Sequence, residues 1–164
     1  MSFHSRLPLL LLLALSTLCG VLGAQEKAAG KYSRRALVIG VADYTSIAPL
    51  KNTLNDARLM AGTLVGIGFQ LQGRAPLLNP GAAELKRAVD SFLNTLDKNT
   101  EAVIYFAGHG AQADGDNLLL PKDFAIPSGD DAAQVMRQAR AQAIVLSEVL
   151  SRIERSQTSL AVLF

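Results

Sequence analysis

The alternation of two hydrophobic periodicities constrains the fold of this chain most. Continuous apolar runs over residues 36–39 and 102–107 are typical of strands buried on both faces. Between these two runs, residues 52–69 and 79–99 carry apolar side chains at helical spacing. Strands that alternate with helices of this length predict an α/β domain of three layers, with a mainly parallel central sheet, right-handed crossovers and helices on both faces.

The two helices have recognisable ends. The first has Asn52 or Thr53 as its N-cap and stops at the glycines of residues 66–68; in the second, Asn79 is the expected cap and Pro80 the first helical residue. The residues expected to be buried are Leu54, Ala57, Met60, Ala61, Leu64 and Val65 in the first helix, and Leu85, Ala88, Val89, Phe92 and Leu96 in the second.

The remaining segments are shorter. Residues 69–73 and 117–121 are predicted as short strands, residues 113–117 ("ADGDN") include a turn, and residues 159–164 ("SLAVLF") are predicted as another buried strand. The sequence leaves residues 131–142 open between a helix and a mobile insertion. A last helix is expected over residues 146–155, with Ser147 as its cap and with an apolar face of Leu146, Val149, Leu150 and Ile153.

The first 24 residues are predicted to be a secretory signal peptide. They combine Arg6, an apolar run from Leu7 and small residues near position 24; a retained membrane anchor is the alternative. Residues 25–33 are read as a linker and residues 34–164 as the domain. The signal peptide would direct the protein to the periplasm or the extracellular space. Its cleavage would remove the only cysteine, Cys19, together with one of the two histidines, His4.

Composition excludes some classes of partner. The chain has 16 basic and 14 acidic residues, and loss of Arg6 would leave 15 against 14, so nothing favours binding to nucleic acid or to anionic lipid. After signal cleavage we expect no membrane association. A structural zinc site is excluded because one histidine and no cysteine cannot complete a tetrahedral shell.

His109 is the candidate catalytic residue. It lies in "AVIYFAGHG", just past the carboxyl end of a predicted core strand, between Gly108 and Gly110, and the amide of Gly110 is free of steric cover. This arrangement suits a general acid or base beside an amide that binds an oxyanion. The alternative is a loop histidine that satisfies a turn. None of the serines at 128, 147 and 159 lies in a strand-to-helix elbow, so no convincing nucleophile is found in the chain.

The succession "RRALVIGVADY", "PLKNTLNDARLMAGTLVGIGF", "AVIYFAGHGAQADGDNLLLP", "LSEVL" and "SLAVLF" resembles the start of a caspase-like peptidase domain of the bacterial metacaspase type. The resemblance implies a three-layer caspase-like sandwich, and a cysteine endopeptidase in which His109 partners a cysteine and the Gly110 amide binds the oxyanion. In caspases about 50 residues separate histidine and cysteine. We therefore expect the nucleophile a few residues past Phe164, a domain truncated before its cysteine loop, and no activity in this chain alone.

The resemblance also gives Asp56 a role. In metacaspase-like proteins the acidic residue of this segment helps bind arginine or lysine before the cleaved bond, whereas a carboxylate favoured by the helix dipole is the plain alternative. We expect no cofactor. Calcium is an option because some metacaspases need it, but Asp114, Asp116 and Asp123 lack a binding-loop framework and are read as solvated turn residues.

Two other functions compete with a protease. A catalytically dead caspase-like module, used for binding or regulation, fits a chain without a nucleophile. A flavodoxin-like ligand-binding domain is disfavoured because "GVADY" after the first strand is not a glycine-rich phosphate loop. The physiological substrate and the oligomeric state stay open at this level.

Overall fold

The computed structural model describes residues 32–164. The predicted signal peptide and nearly all of the predicted linker lie outside the described residues. The eight strands found in this part of the chain are β1 (Ser33–Gly40), β2 (Gln70–Leu71), β3 (Leu77–Leu78), β4 (Thr100–Ala107), β5 (Gly110–Ala113), β6 (Asp116–Leu119), β7 (Ile144–Val145) and β8 (Leu160–Leu163). The helices are α1 (Thr53–Gly66), α2 (Ala82–Leu93), α3 (Ala132–Gln142) and α4 (Leu146–Ser156), besides a short 3₁₀ turn at Gln72–Arg74.

The central sheet is parallel and has the order β2-β1-β4-β8, with β3 pairing with the carboxyl end of β1. Successive side chains of β1 point to opposite faces. Ala36 and Val38 pack with α1 on one face, whereas Leu37 and Ile39 pack with α2 and α4 on the other. The predicted α/β class, with three layers and helices on both faces of a mainly parallel sheet, is confirmed.

A close approach of α1 to the sheet decides which face of this helix is buried. A Cβ atom at Gly40 would lie 2.8 Å from the Cβ of Ala57 and 2.9 Å from the carbonyl oxygen of Thr53. The helix therefore contacts the sheet through its alanines, and Ala57, Ala61 and the neighbouring Leu64 are buried. The prediction that Val65 is buried is wrong. Val65 is 54% exposed, because it lies on the side of α1 that is turned away from the sheet.

Several predicted helix ends are corrected. α2 begins at Ala82 rather than at Pro80; Gly81 is the N-cap, and the Asp123 carboxylate accepts the Ala82 amide at 2.8 Å. Asn79 does not cap the helix, since its backbone is left-handed (φ 51°) and its side chain bonds elsewhere. α4 begins one residue before Ser147, so this serine lies inside the helix.

In addition, Asn52 occupies the N-cap position of α1 without a side-chain hydrogen bond to the helix. On α4, Val149 is buried but Leu150 is 44% exposed, so the predicted apolar face is too wide.

The strand predicted over residues 159–164 forms as β8, but it is not buried. β8 lies at the edge of the described sheet, with β4 on one side, and Leu160 is therefore 55% exposed. Residues 131–142, which the sequence left open, form α3, whose N-cap Asp131 accepts the Ala133 amide at 3.0 Å. None of the helices within residues 32–164 is long and apolar enough to cross a membrane.

A second sheet was not predicted. β5, β6 and β7 form an antiparallel sheet of order β5-β6-β7, and the hairpin between β5 and β6 turns at Asp114 and Gly115, which have φ of 54° and 81°. An Asp-Gly pair with positive φ at both positions is the preferred two-residue hairpin turn. The hairpin begins directly after His109, so this small sheet fixes the backbone of the candidate site.

Candidate active site

The candidate site lies at the carboxyl edge of the parallel sheet, where open α/β sheets place their ligands. β4 ends at Ala107 and β5 begins at Gly110, so Gly108 and His109 form the link between the central sheet and the hairpin. His109 is half-buried and Gly110 is exposed. The loop from β1 to α1, residues 41–52, supplies the groups that surround the histidine.

The imidazole of His109 is held by one backbone group of this loop. Its Nε2 lies 2.9 Å from the carbonyl oxygen of Ala48. Because a carbonyl oxygen only accepts, Nε2 donates and carries the ring proton in the neutral imidazole. Nδ1 is then the basic nitrogen, with the tautomer and the ring orientation set before any substrate binds.

Tyr44 holds the backbone of His109. The Tyr44 hydroxyl oxygen accepts the His109 amide at 2.6 Å and the hydroxyl donates to the Leu120 carbonyl at 3.3 Å, while the Leu120 amide donates to the His109 carbonyl at 3.0 Å. In a regular ladder the His109 amide would donate directly to the Leu120 carbonyl, and here the Tyr44 hydroxyl lies between the two groups and bonds to both. The two rings also touch, with centroids 4.8 Å apart. Burial raises the pKa of the Tyr44 phenol, so it is neutral and able to donate.

Tyr44 was not among the site residues predicted from the sequence. It is buried, with 7% of the residue exposed, and its hydroxyl positions the catalytic candidate. A tyrosine four residues past a buried strand, in the loop at the carboxyl edge, is the only signal that the sequence offered. A loop position says nothing about which later residue the ring will meet.

Gly108 is required by this packing. A Cβ atom built there would lie 2.7 Å from the Tyr44 hydroxyl oxygen and 2.7 Å from the Cζ atom of Phe106. Contacts this short force one of the two rings to move. The glycine before His109 therefore makes room for Tyr44, besides leaving access for a substrate.

The amide of Gly110 points away from the hairpin. Leu120 donates to the carbonyl of His109, and the register pairs Gly110 with Leu119. Hydrogen-bonded and non-hydrogen-bonded pairs alternate along an antiparallel ladder, so Gly110 belongs to a non-hydrogen-bonded pair. Its N–H is directed outward, next to the imidazole, where it is able to donate to a substrate oxygen.

Asn79 ties the loop that holds His109 to β3. Its Oδ1 accepts the amides of Ala42 and Asp43 at 2.8 and 3.0 Å, its Nδ2 donates to the Asp43 carboxylate at 2.7 Å, and its own amide donates to the Gly40 carbonyl at 2.7 Å. The sequence pointed to Asn79 only as a helix cap. Its backbone is left-handed, and its side chain meets Ala42 and Asp43, the two residues directly before Tyr44.

Asp56, the other predicted site residue, lies apart from these contacts, as do the aspartates that were predicted from the sequence to be solvated turn residues. Asp56 is exposed in the first turn of α1, at the same edge of the sheet as the loop of residues 41–52. Asp116 pairs with Arg140, and hydrogen bonds from Ser147 and Arg140 hold the pKa of its carboxyl below the ordinary value. Asp123 caps α2. Within residues 32–164 no three His, Cys, Asp or Glu side chains are gathered so as to hold a metal ion.

Comparison with known proteins agrees with this fold. A 92-residue segment, 56% of the chain, is 34% identical to the human mucosa-associated lymphoid tissue lymphoma translocation protein 1, and an equally long segment is 34% identical to its homolog in Mus musculus. The aligned segment covers only 11% of the length of each of these relatives. The family model of the caspase domain matches residues 33–161. The chain therefore belongs to the caspase-domain family of peptidases.

Proposed function

We propose that this chain is the amino-terminal part of a cysteine-type endopeptidase of the metacaspase type, in which His109 and Gly110 form the described half of the catalytic centre. One observation carries the proposal: the Ala48 carbonyl fixes the proton on Nε2, so that Nδ1 is the working nitrogen beside an outward-facing amide. Membership of the caspase-domain family supports proteolysis as the reaction class.

The two groups divide the reaction between them. A thiolate attacks the carbonyl carbon of the scissile bond, and the electron pair of the C=O bond moves to oxygen, where the Gly110 amide donates a hydrogen bond. When the tetrahedral intermediate collapses, the C–N bond breaks and the protonated imidazole of His109 transfers its proton to the leaving amine. Water then hydrolyses the thioester with the neutral imidazole as base.

The nucleophile must come from outside the described residues. Residues 32–164 contain no cysteine, and Cys19 lies in the predicted signal peptide. Phe164 lies 55 residues past His109, so the family spacing of about 50 residues supports a cysteine close to this point, a few residues past Phe164. Loss of one member of a catalytic unit removes nearly all of its effect, so the 164-residue chain alone is proposed to be inactive.

The proposed preference is for arginine or lysine before the cleaved bond. The carboxylate of Asp56 is exposed at the start of α1 and carries the charge that a substrate guanidinium or ammonium group would neutralise. Asp56→Asn keeps the shape of the side chain and removes its charge. In a full-length enzyme we expect it to lower kcat/KM for arginyl peptides by at least about 10-fold, through loss of a charge-assisted bond, and to spare a matched peptide with norleucine. Equal losses on both peptides would contradict the pocket role.

Export by the signal peptide and catalysis without a cofactor are part of the same proposal, with a protein or peptide as the substrate. Calcium dependence is tested by adding a chelator to the full-length enzyme. The second candidate function, a catalytically dead module for binding or regulation, is favoured by the lack of a cysteine in residues 32–164.

The deciding experiment is to read the coding sequence past the codon of Phe164 and to assay the full-length product on a protein substrate and on arginyl peptides. An in-frame cysteine, with cleavage that His109→Ala abolishes, supports the protease. A stop codon directly after Phe164 supports the catalytically dead module. Cleavage of an arginyl peptide by the purified 164-residue chain that His109→Ala abolishes would refute the proposed division of the centre.

A further inference from the structure

The outer edge of β5 starts at the proposed oxyanion donor. His109 and Leu120 form a hydrogen-bonded pair, and hydrogen-bonded and non-hydrogen-bonded pairs alternate along an antiparallel ladder. The hydrogen-bonded residues of the β5 side are therefore His109, Ala111 and Ala113. Gly110 and Gln112 therefore direct their amides and carbonyls away from β6. β5 is the terminal strand of its sheet, so these groups line an open edge.

This edge is accessible. Gly110, Ala111 and Gln112 are all exposed, and no hydrogen bond within residues 32–164 joins the outward groups of Gly110 or Gln112 to another part of the protein. The ion pair between Arg140 of α3 and Asp116 fastens the other end of the hairpin, near its turn. On this stretch Gly110 has no side chain and Ala111 has only a methyl group.

Open strand edges are usually protected by lysine, by proline or by a covering element. β5, with the sequence Gly-Ala-Gln-Ala, has neither lysine nor proline. An unprotected edge that continues from a reactive centre is suited to the main chain of an extended peptide, which recognises such edges by strand addition.

Resting on the proposed function of Gly110, we propose that the outer edge of β5 binds the substrate as an added strand, with Gly110 and Gln112 as paired main-chain donors. The two amides are about 6.7 Å apart along the strand, which equals the two-residue repeat of an extended peptide. When the substrate carbonyl at the cleaved bond accepts from Gly110, a carbonyl further along the substrate reaches Gln112. If the peptide runs parallel to β5, this carbonyl comes from a residue after the cleaved bond. If it runs antiparallel, the carbonyl comes from a residue before the cleaved bond.

The ligand class is thus an extended peptide of several residues, bound through its backbone and with little demand on its side chains. Such binding predicts that long substrates are cleaved better than short ones. It also predicts that an oxygen ester or an N-alkylated peptide bond, placed where the added strand needs its hydrogen bond, weakens binding without altering the catalytic groups.

The variant Gln112→Pro tests the role of the outward amide. Proline removes this N–H, and it is tolerated on an edge strand where the N–H faces solvent, so the hairpin keeps its own ladder. Gln112→Ala is the matched control, since it removes the side chain and keeps the amide. Urea unfolding of the 164-residue chain, carried out on both variants, establishes that each is folded.

Two peptides are compared on the full-length enzyme: an octapeptide with a central arginine, and acetyl-arginine joined to a chromogenic leaving group. We expect Gln112→Pro to lower kcat/KM for the octapeptide by about 3- to 10-fold, as for the loss of one hydrogen bond, and to leave the short substrate unchanged. Gln112→Ala should match the wild type on both. Equal effects of proline and alanine on the octapeptide would overturn the proposal.

A second measurement separates this inference from the proposed function. The same octapeptide is titrated into the 164-residue chain, and the amide resonances of Gly110 and Gln112 are followed by NMR. Shifts of both amides support strand addition even if no cleavage is found, whereas unchanged amides at a saturating peptide concentration overturn it even if the full-length enzyme is active. Absence of cleavage dependent on His109 in the full-length product would count against the proposed function alone.

Discussion

Replacement of Tyr44 by phenylalanine removes a single oxygen atom from the centre of the site. The ring stays, with its contact to the imidazole, so the variant isolates the hydroxyl that bridges the His109 amide and the Leu120 carbonyl. Each of these two hydrogen bonds contributes about 1 kcal/mol, so their loss costs about 2 kcal/mol. If β5 and β6 then move together and close the rung directly, about 1 kcal/mol is recovered. We therefore expect a loss of about 1–2 kcal/mol in the free energy of unfolding.

Urea unfolding of the 164-residue chain measures this loss, and NMR of the imidazole reports its effect on the site. The chain has only two histidines, so a His4→Gln background leaves the His109 ring as the sole imidazole signal. We expect Tyr44→Phe to shift the His109 amide and the Gly110 amide while the Nε2–H tautomer persists. In a full-length enzyme, misplacement of these groups should reduce kcat by about 10- to 100-fold.

The pH dependence gives an internal check. Burial raises the pKa of Tyr44 in the folded chain, so the unfolded chain loses the phenolic proton first as the pH rises. The contribution of this group to stability is therefore complete below pH 10, the ordinary value, and is lost above it. Tyr44→Phe should lack this part of the alkaline decline. Unchanged stability, unchanged amide shifts and an unchanged alkaline decline in the variant would together refute the bridging role of the hydroxyl.

Three further predictions concern the surroundings of the site. Gly108→Ala should destabilise the 164-residue chain by about 1–3 kcal/mol in urea, because the new Cβ overlaps two rings; Gly62→Ala, where a Cβ meets nothing within 4 Å, is the control and should not destabilise it. Asn79→Ala should leave the Ala42 and Asp43 amides without their acceptor, costing about 1–3 kcal/mol and moving the His109 ring signals, so unperturbed signals would exclude a positioning role. Hydrogen bonds lower the pKa of the Asp116 carboxyl, so the unfolded chain takes up the proton first and stability falls as the pH drops below about 3.8. Asp116→Asn should make this fall in stability less steep when urea unfolding is measured over a series of pH values. An identical slope in the variant would contradict the prediction.

Much of the fold could be read from periodicity. The apolar runs of β1 and β4 and the spacing of α1 and α2 are local patterns, and they predicted a parallel sheet between helices because each pattern fits only one way of burying its apolar face. The exposure of Val65 was missed. It depends on which neighbour lies beside the helix, and this is a property of the packed structure rather than of any one segment.

The site divides in the same way. His109 and Gly110 could be predicted as site residues from "GHG" after a strand, because open α/β sheets place their ligands at the carboxyl ends of the strands. Tyr44 and Asn79 were not found as positioning residues. Each acts through side-chain hydrogen bonds to partners 30 or more residues away along the chain, and no periodic pattern encodes such a pairing.

By itself, then, the sequence determined the class of the fold, the family resemblance and the imidazole at the strand end, because these rest on hydrophobic period and on local residue types. Only the tertiary structure decided that Ala48 fixes the tautomer, that the Tyr44 hydroxyl completes a rung of the hairpin, and that the Gly110 amide faces outward. The physical reason is that a hydrogen bond tolerates only a few tenths of an ångström of variation in the donor–acceptor distance and requires the donor to point at the acceptor. Such distances are set only when segments far apart in the chain pack together.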